Sequence, residues 1–362
     1  MDHPDRLKRL QSALAEERLD GLLVTNLPNI RYLCGFTGSA AVLVVVAQGS
    51  CYFFTDGRYA EQAREEVLGA KIKVHRKAAL AAASDWLAGR RKLGLKRLGA
   101  EGEHLSLAEG ERLKKVLGAG VRLRQASPLV ERQRMVKDAE EIGRLRQAVR
   151  LGASLFDIAL KTIRPGVSEV RVAAEMEYAA RQAGAEGMSF ETIIAAGERS
   201  ALPHGRASKA AIPARGFVVC DFGVILAGYC SDMTRTVYVG QPTGADREIY
   251  DAVREAQQAA VEAVQPGKPV GEVDRAARNV LKKKGLARYF THSTGHGVGL
   301  EIHEAPRVAA AQNEILQPGM VITIEPGVYI PGRGGVRIED MVVVKEQGCE
   351  VLTPVPKELM TI

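Results

Sequence analysis

Residues 159–184, ALKTIRPGVSEVRVAAEMEYAARQAG, and residues 260–285, AVEAVQPGKPVGEVDRAARNVLKKKG, read as two copies of one unit. Pro165-Gly166 stands against Pro266-Gly267, and Ala173-Ala174 against Ala276-Ala277 once two residues are inserted. Each copy is a helix stopped by Pro-Gly and followed by a second helix, and β-rich runs come after each copy. Such a repeat predicts two similar α+β halves packed about a pseudo-twofold axis, with their sheets forming a shared floor. A cleft between halves of that kind is a natural place for a site.

Upstream of the repeat the pattern changes. An amphipathic N-terminal helix with Leu7, Leu10 and Leu14 at helical spacing precedes strand-like runs at DGLLVTN, AAVLVVVA (40–47) and CYFFTD. Helical stretches at EQAREEVLG, AALAAASDWLAG and LAEGERLKKVLG alternate with the short runs KIKVH and KRLGAE, which predicts an α/β domain with a largely covered sheet. Ser127-Pro128 interrupts this alternation, and Asp138 can cap a long helix with Glu140 and Glu141 in its first turn. The boundary therefore falls near 128–137, giving domains at 1–130 and 131–362. At 362 residues two domains are the default.

Composition narrows the function classes. The fractions of 46% hydrophobic and 26% charged residues are those of a folded globular protein. A net charge of +7 raises the question of nucleic acid, but the basic residues are interleaved with acids and no aromatic-basic module accompanies them. The charged N-terminal helix is not a signal peptide, and the longest apolar run is far short of a membrane span. Five widely spaced cysteines without a C-x-x-C pair fit a reducing cytoplasm rather than a disulfide framework.

The chemistry lies in the β-rich runs. FVVCDFGVILAGYCSDMTRTVYVG (217–240) reads as a hairpin about Leu226, Ala227 and Gly228, with Asp221 and Asp232 at nearly equal distances from the turn and able to face one another. Glu325 in MVITIEPGVYI and Glu339 in GVRIEDMVVV are likewise embedded in apolar β-branched runs. Acids in such settings are costly unless paired or neutralised by a cation. THSTGHGVGLEIHEAP (291–306) adds His292, His296 and His303 among glycines. The spacing of His292 and His296 matches a zincin helix, but Gly295, Gly297 and Gly299 disfavour a helix and no Glu follows His292. Oxygen-rich ligation with one imidazole suits two divalent ions of the manganese, cobalt, iron or zinc group. Four carboxylates balance two such ions, and Arg337 can offset the charge of a bridging hydroxide.

Asp221, an Asp eleven residues later, GHGVGLEIHE, TIEPG and RIED together resemble metallopeptidase family M24, whose pita-bread fold is shared by methionine aminopeptidase, aminopeptidase P and prolidase. NIRYLCGFTGSAAVLVV and FFTDGRYAEQA resemble the creatinase/prolidase-type N-terminal domain, which favours the proline-specific branch. The resemblance implies that Asp221, Asp232, His296, Glu325 and Glu339 hold two divalent metal ions, with manganese first and cobalt or zinc as alternatives. It implies that His204 in LPHG, His292 and His303 surround a proline-containing peptide and that Arg337 orients the bridging carboxylates. It also implies a homodimer in which one subunit's N-terminal domain borders the other's cleft. The expected reaction is attack of a metal-activated hydroxide on the carbonyl before proline, with an imidazole, His303 or His204, stabilising the oxyanion and Glu325 carrying the proton to the departing nitrogen.

The leading expectation is an Xaa-Pro aminopeptidase. The rival is an Xaa-Pro dipeptidase with the same metal core and an added cation for the dipeptide's carboxylate; an inactive peptide-binding module of the same fold is the remote one. Taken alone, His296 would more often be a structural histidine, and Glu325 and Glu339 could pair with Arg333 or Arg337. Arg58 either reaches substrate from a neighbouring subunit or pairs with Asp56 or Glu61. His3, His75 and His104 read as surface residues.

Overall fold

The structure is a computed structural model that describes residues 1–89 and 94–362. It divides into two compact units, Met1–Arg134 and Met135–Ile362.

In the first unit the elements run α1 (His3–Glu16), β1 (Gly21–Val24), α2 (Leu27–Cys34), β2 (Val42–Val46), β3 (Cys51–Asp56), α3 (Ala60–Glu66), β4 (Ala70–His75), α4 (Ala79–Gly89), β5 (Arg97–Glu101), α5 (Leu107–Leu117), β6 (Arg122–Ala126) and α6 (Leu129–Met135). The sheet order is β4-β3-β2-β1-β5-β6, antiparallel across β1–β2 and β2–β3 and parallel elsewhere. Every residue of β1 and β2 is buried, as continuous apolar runs require when helices cover both faces. Ser106 and Glu109 form a reciprocal capping box that starts α5.

One expectation for this unit is overturned and another is decided. His3 is buried, and its Nδ1 lies 3.0 Å from the Tyr32 carbonyl, because the first turn of α1 packs against the C-terminal end of α2. Of the alternatives for Arg58, the pair with Asp56 is the one found: Nε and Nη2 donate to the two Asp56 oxygens at 3.0 and 2.8 Å.

The second unit contains α7 (Ala139–Thr162), α8 (Glu169–Gln182), β7 (Gly187–Met188), β8 (Ile193–Ala196), β9 (Gly216–Phe222), β10 (Val224–Leu226), β11 (Tyr229–Cys230), β12 (Met233–Val239), α9 (Gly244–Glu262) and α10 (Val270–Lys283). It continues with β13 (Gly295–Gly297), β14 (Glu304–Val308), β15 (Val321–Ile324), β16 (Gly327–Ile330), β17 (Gly334–Arg337), β18 (Asp340–Val344) and β19 (Cys349–Val351). Asp138 and Glu141 cap α7 reciprocally.

The repeat is visible in main-chain bonds. Gly166 N–H donates to Ile212 O at 2.9 Å, and Gly267 N–H to Leu316 O at 2.8 Å. Isolated bridges join Ser168 to Ala211 and Pro269 to Ile315. Both Pro-Gly glycines have left-handed φ, 85° and 81°, which a side chain would resist. The insertion expected inside the second copy is absent. α8 and α10 are both 14 residues long, and their buried positions coincide: Val172 with Val273, Met176 with Ala277, Ala180 with Leu281. Matching the alanine pairs misaligned the copies, because burial rather than identity is what repeats.

Each half carries an antiparallel sheet, β12-β9-β8 in the first and β14-β13-β15-β18-β19 in the second. The expected common floor is two distinct ladders rather than one sheet, joined where Glu339 N–H donates to Thr234 O at 3.1 Å. Buried Arg235 fastens the same seam, donating to Asp340 at 2.7 Å and to Val355 O at 2.6 Å. Apolar clusters underlie each half, one around Met176, Ile194 and Val218 and one around Val253, Ile322 and Val342. Among the described residues, no helix is long and apolar enough to cross a membrane.

Candidate metal centre and cleft

The first pair of acids is placed by a tight hairpin. Leu226 pairs with Tyr229, so Ala227 and Gly228 alone form the turn, with φ of 49° and 82°. Positive φ at both residues is the geometry of a two-residue turn that keeps the strands' right-handed twist. The same register carries into β9 and β12, where Asp221 lies opposite Thr234. Asp232, two residues before Thr234, is therefore a diagonal neighbour of Asp221 on the same face, not its direct partner. The two acids are 9% and 5% exposed.

The second half supplies its own pair. Ile324 pairs with Asp340, so Glu325 and Glu339 flank the next step of the β15–β18 ladder. Glu339 is buried, and Thr234 Oγ1 donates to it at 2.7 Å. His296 enters from β13, its Nδ1 2.9 Å from the Gly297 carbonyl. With Nδ1–H donating there, the Nε2 lone pair faces the acids, 3.6 Å from Asp232 and 3.5 Å from Glu325. These separations exceed a hydrogen bond. Ligand atoms of Asp232, His296 and Glu339 all lie within 4.8 Å of one another.

The glycines around His296 have a steric reason. A Cβ on Gly295 would stand 1.9 Å from Thr323 O, and one on Gly297 would stand 2.2 Å from Ala305 O. Neighbouring backbone occupies the space a side chain would need, so only glycine lets β13 lie between β14 and β15 here.

Electrostatics single out this cluster. Burial, reinforced by Glu339, Asp221 and Glu325, holds the Asp232 carboxyl well above the usual range. Glu339 is raised in the same way, by burial and then by Glu325 and Asp221. About 18% of the Glu325 side chain faces the cleft, yet burial and then Asp221 push its carboxyl up to about 8, against the pull of Arg337. Burial pulls His296 down to about 4, so the imidazole is neutral at physiological pH. Buried Asp232 Oδ1 has no hydrogen-bond partner among the described residues. Three acids with raised proton affinity, a neutral imidazole and an unpartnered buried carboxylate oxygen fit a divalent-cation site by their donor chemistry.

Around the centre lies a cleft of about 710 Å³ that includes all five of these side chains together with His204, His292, His303 and Arg337. Arg337 is buried and ion-paired with Asp221, and its Nε donates to Thr234 Oγ1 at 3.1 Å. Its Nη1 donates to the Tyr329 hydroxyl, which lies 2.9 Å from His292 Nε2. His292 Nδ1 is 2.8 Å from Ser293 O, so both ring nitrogens are engaged and burial pulls the imidazole down to about 4. His303 is exposed, with its ring edge-on to His296 at 4.5 Å. His204 is also exposed, and its side chain makes no hydrogen bond among the described residues.

Three participants escaped the sequence reading. Thr234 bridges Glu339 and Arg337, Tyr329 joins Arg337 to the neutral His292 ring, and the signal for both was the period of two: each falls on the acid-bearing face of its strand run. Arg307 lies opposite His296 across the β13–β14 ladder, lines the cleft, and makes no side-chain hydrogen bond or ion pair among the described residues. Beside it, Glu304 forms a buried pair with Lys137 at 3.0 Å.

Two repeated α+β halves holding a carboxylate–imidazole cluster at a peptide-sized cleft define a metal-dependent hydrolase of pita-bread fold. Residues 143–346 match the model of metallopeptidase family M24, and residues 6–136 match that of the Creatinase/Prolidase N-terminal domain. The chain belongs to metallopeptidase family M24 and is a metallopeptidase. It is similar to the solved Xaa-Pro dipeptidase from Bacillus anthracis, at 42% identity with a TM-score of 0.95 and 100% of each chain covered. An Xaa-Pro dipeptidase of Pyrococcus horikoshii is 37% identical, covering 98% of this chain and 99% of its own. The X-Pro aminopeptidase from Thermotoga maritima is 36% identical with a TM-score of 0.86, covering 96% of this chain and 100% of its own.

Proposed function

We propose that this metallopeptidase is an Xaa-Pro dipeptidase in which Asp221, Asp232, His296, Glu325 and Glu339 hold two divalent ions. The observation that carries the choice of dipeptide is Arg307: an uncommitted guanidinium in the cleft, opposite His296, suits a substrate carboxylate one residue beyond the bond that breaks. When bound, the ions would supply Lewis acidity and lower the pKa of a bound water towards neutrality. Arg307 receives the C-terminal carboxylate, and the exposed His303 donates to the carbonyl oxygen as negative charge develops there. Glu325 takes the proton released by the attacking water and hands it to the departing nitrogen. Proline offers no N–H, so a cleft with apolar walls at Phe190, Ile193 and Ile302 loses nothing by lacking an acceptor there.

The domain division at about 130, manganese as the preferred ion, a homodimer and a cytoplasmic setting belong to the same reading. An oxygen-rich donor set with one imidazole supports the metal preference, and five free cysteines support a reducing compartment. Metal analysis and light scattering check the ion and the dimer. The second reading, an Xaa-Pro aminopeptidase, draws support from the likeness to the Thermotoga maritima enzyme.

Comparing Xaa-Pro, Xaa-Pro-Xaa and amidated Xaa-Pro decides between them. A hydrogen-bonded charge pair is worth about 1.5–3 kcal/mol, so Arg307→Ala raises KM for Xaa-Pro roughly 10- to 100-fold and leaves the amide nearly unaffected. Faster turnover of the tripeptide, with Arg307→Ala neutral, establishes the aminopeptidase instead.

A further inference from the structure

Glu169 is fully buried at the first position of α8, and its side-chain hydrogen bonds go outside that helix, to the end of β8 and the loop after it. Its Oε1 accepts from Ala196 N–H at 2.9 Å, and its Oε2 accepts from Ser208 N–H at 3.0 Å and Ser208 Oγ at 2.7 Å. Arg199 Nε donates to both oxygens, at 3.1 and 3.0 Å, while Arg199 Nη2 donates to Arg206 O at 2.8 Å. Ala196 and Ser208 bracket the loop that carries His204. A single carboxylate therefore fastens both ends of this loop and, through Arg199, a point two residues beyond the histidine. Because the exposed His204 ring has no hydrogen bond among the described residues, the loop backbone alone sets where it points. Further tethers come from Arg337, which donates to Pro203 O at 3.2 Å, from Gly335 N–H, which donates to Ser200 Oγ at 2.8 Å, and from the ion pair of Arg206 with Glu191 at 2.9 Å.

The other half repeats the device one helical turn along. Asp274 is fully buried on α10 and accepts from Thr294 Oγ1 at 2.8 Å. Arg278 Nε donates to Asp274 at 2.7 Å, and its other nitrogens donate to His292 O at 2.6 Å and Phe290 O at 3.2 Å. Glu169 and Val270 both open their helices, so Asp274 takes the place of Ala173, four residues beyond Glu169 on the same buried face. Each half thus fills the other's charged position with an apolar residue, Val270 and Ala173. The helix face packs without either charge, and a buried ion pair is weak evidence for stability by itself. What each acid–arginine pair has in common is a segment that carries a cleft histidine: Arg278 bonds His292 O directly, and Arg199 bonds Arg206 O, two residues past His204.

We propose that Glu169 and Asp274 are positioning residues, each acting with its arginine to fix the loop of one cleft histidine, His204 and His292 respectively. This rests on the dipeptidase reading and on the expectation, from the family resemblance, that those imidazoles surround the substrate. A displacement of about 1 Å at a reacting group can cost on the order of 100-fold. Glu169→Gln in the metal-loaded enzyme lowers kcat/KM for an Xaa-Pro dipeptide roughly 10- to 100-fold, with metal content unchanged.

The test is a double-mutant cycle with His204→Ala, together with hydrogen–deuterium exchange. If Glu169 works through His204, Glu169→Gln costs less than about threefold once the imidazole is gone, and amides 197–208 exchange faster in the single variant. An equal fold-loss in both backgrounds, or exchange in that loop unchanged, overturns the proposal. Should Glu169→Gln not fold, Arg199→Met, at a partly exposed side chain, carries the same two readouts. Asp274→Asn is read by exchange of amides 290–295 on the same criteria. Failure of the unaltered enzyme to cleave any Xaa-Pro peptide counts against the functional reading, and the exchange measurement still decides the positioning one.

Discussion

Stripping the metal with a chelator exposes the electrostatic cost of the centre as a pH dependence of stability, and its sign can be worked group by group. Glu325 is raised from 4.5 to about 8 in the fold, so the native state binds more protons than the unfolded chain between those values. Stability from this group is full below pH 4.5 and is lost as pH rises through 8. His292 and His296, lowered from 6.5 to about 4, act oppositely: their contribution is present above 6.5 and lost as pH falls through 4. The two effects compete below pH 6.5, which leaves pH 6.5 to 8 as the window in which the carboxyls act alone. Asp232 and Glu339, also raised, push in the same direction as Glu325.

Each tenfold change in proton affinity is worth about 1.36 kcal/mol, so Glu325 alone removes about 2 kcal/mol from the metal-free fold across that window. For a domain of about 150–250 residues this is a drop in Tm of about 4–8 °C. Scanning calorimetry of the chelated protein at pH 6.5, 7.2 and 8.0 measures it, and Glu325→Gln removes that share of the slope. Adding Mn²⁺ reverses the trend, because bound cations favour the ionised acids and release their protons. A metal-free Tm that is flat or rises from pH 6.5 to 8 would refute the reasoning, since the acids would then not be held above their usual range.

Other perturbations test separate parts of the site. Gly295→Ala sets a methyl 1.9 Å from Thr323 O, a clash with backbone rather than a movable side chain, and lowers Tm by several degrees at least; an unchanged melting curve argues against the close approach. Lys137→Met removes the buried cation paired with Glu304, whose side chain is 6% exposed, while the Glu301 N–H still donates to that carboxylate; the fold is destabilised by about 3–5 kcal/mol in denaturant titrations, most of which Lys137→Met with Glu304→Gln recovers. Tyr329→Phe removes the hydroxyl between Arg337 and His292 and lowers kcat roughly tenfold. Burial pushes that phenol up to about 12, so it stays protonated throughout an assay and the ratio of variant to parent rates is constant from pH 6 to 9. A ratio that changes with pH assigns the hydroxyl a proton-transfer role instead.

Much of the architecture was legible because it rests on local chemistry. Pro-Gly stops, the Asp138 cap and uninterrupted apolar strand runs each announce themselves within a few residues. The acids were legible for a different reason: Asp221, Asp232, Glu325 and Glu339 stand where β-branched neighbours leave a carboxylate no solvent, so their presence required an explanation. What escaped detection depends on tertiary pairing. Arg307 sits in a run, HEAPRVAA, with no local oddity, and only the β13–β14 register brings it opposite His296. His3 looked exposed near the terminus, yet the C-terminal end of α2, which no periodicity predicted, covers it.

The pseudo-symmetry of the two halves also explains why the centre is not symmetric. In the second half the acids flank one ladder step, Glu325 beside Ile324 and Glu339 beside Asp340. In the first half the equivalent step pairs Asp221 with Thr234, and the second acid falls two residues away at Asp232. A fully symmetric arrangement would set four carboxylates in two directly opposed pairs, each the worst case for like-charge repulsion across a ladder. Offsetting Asp232 frees the position opposite Asp221 for a hydroxyl, and Thr234 uses it to donate to Glu339 while accepting from Arg337. One neutral residue of the first half thereby ties Glu339 to the Arg337 guanidinium, which itself pairs with Asp221, so Thr234→Val should damage the centre as much as the loss of a charged neighbour. Calorimetric metal titration checks this: binding weakened by less than about threefold means the hydroxyl is incidental and the offset needs another cause.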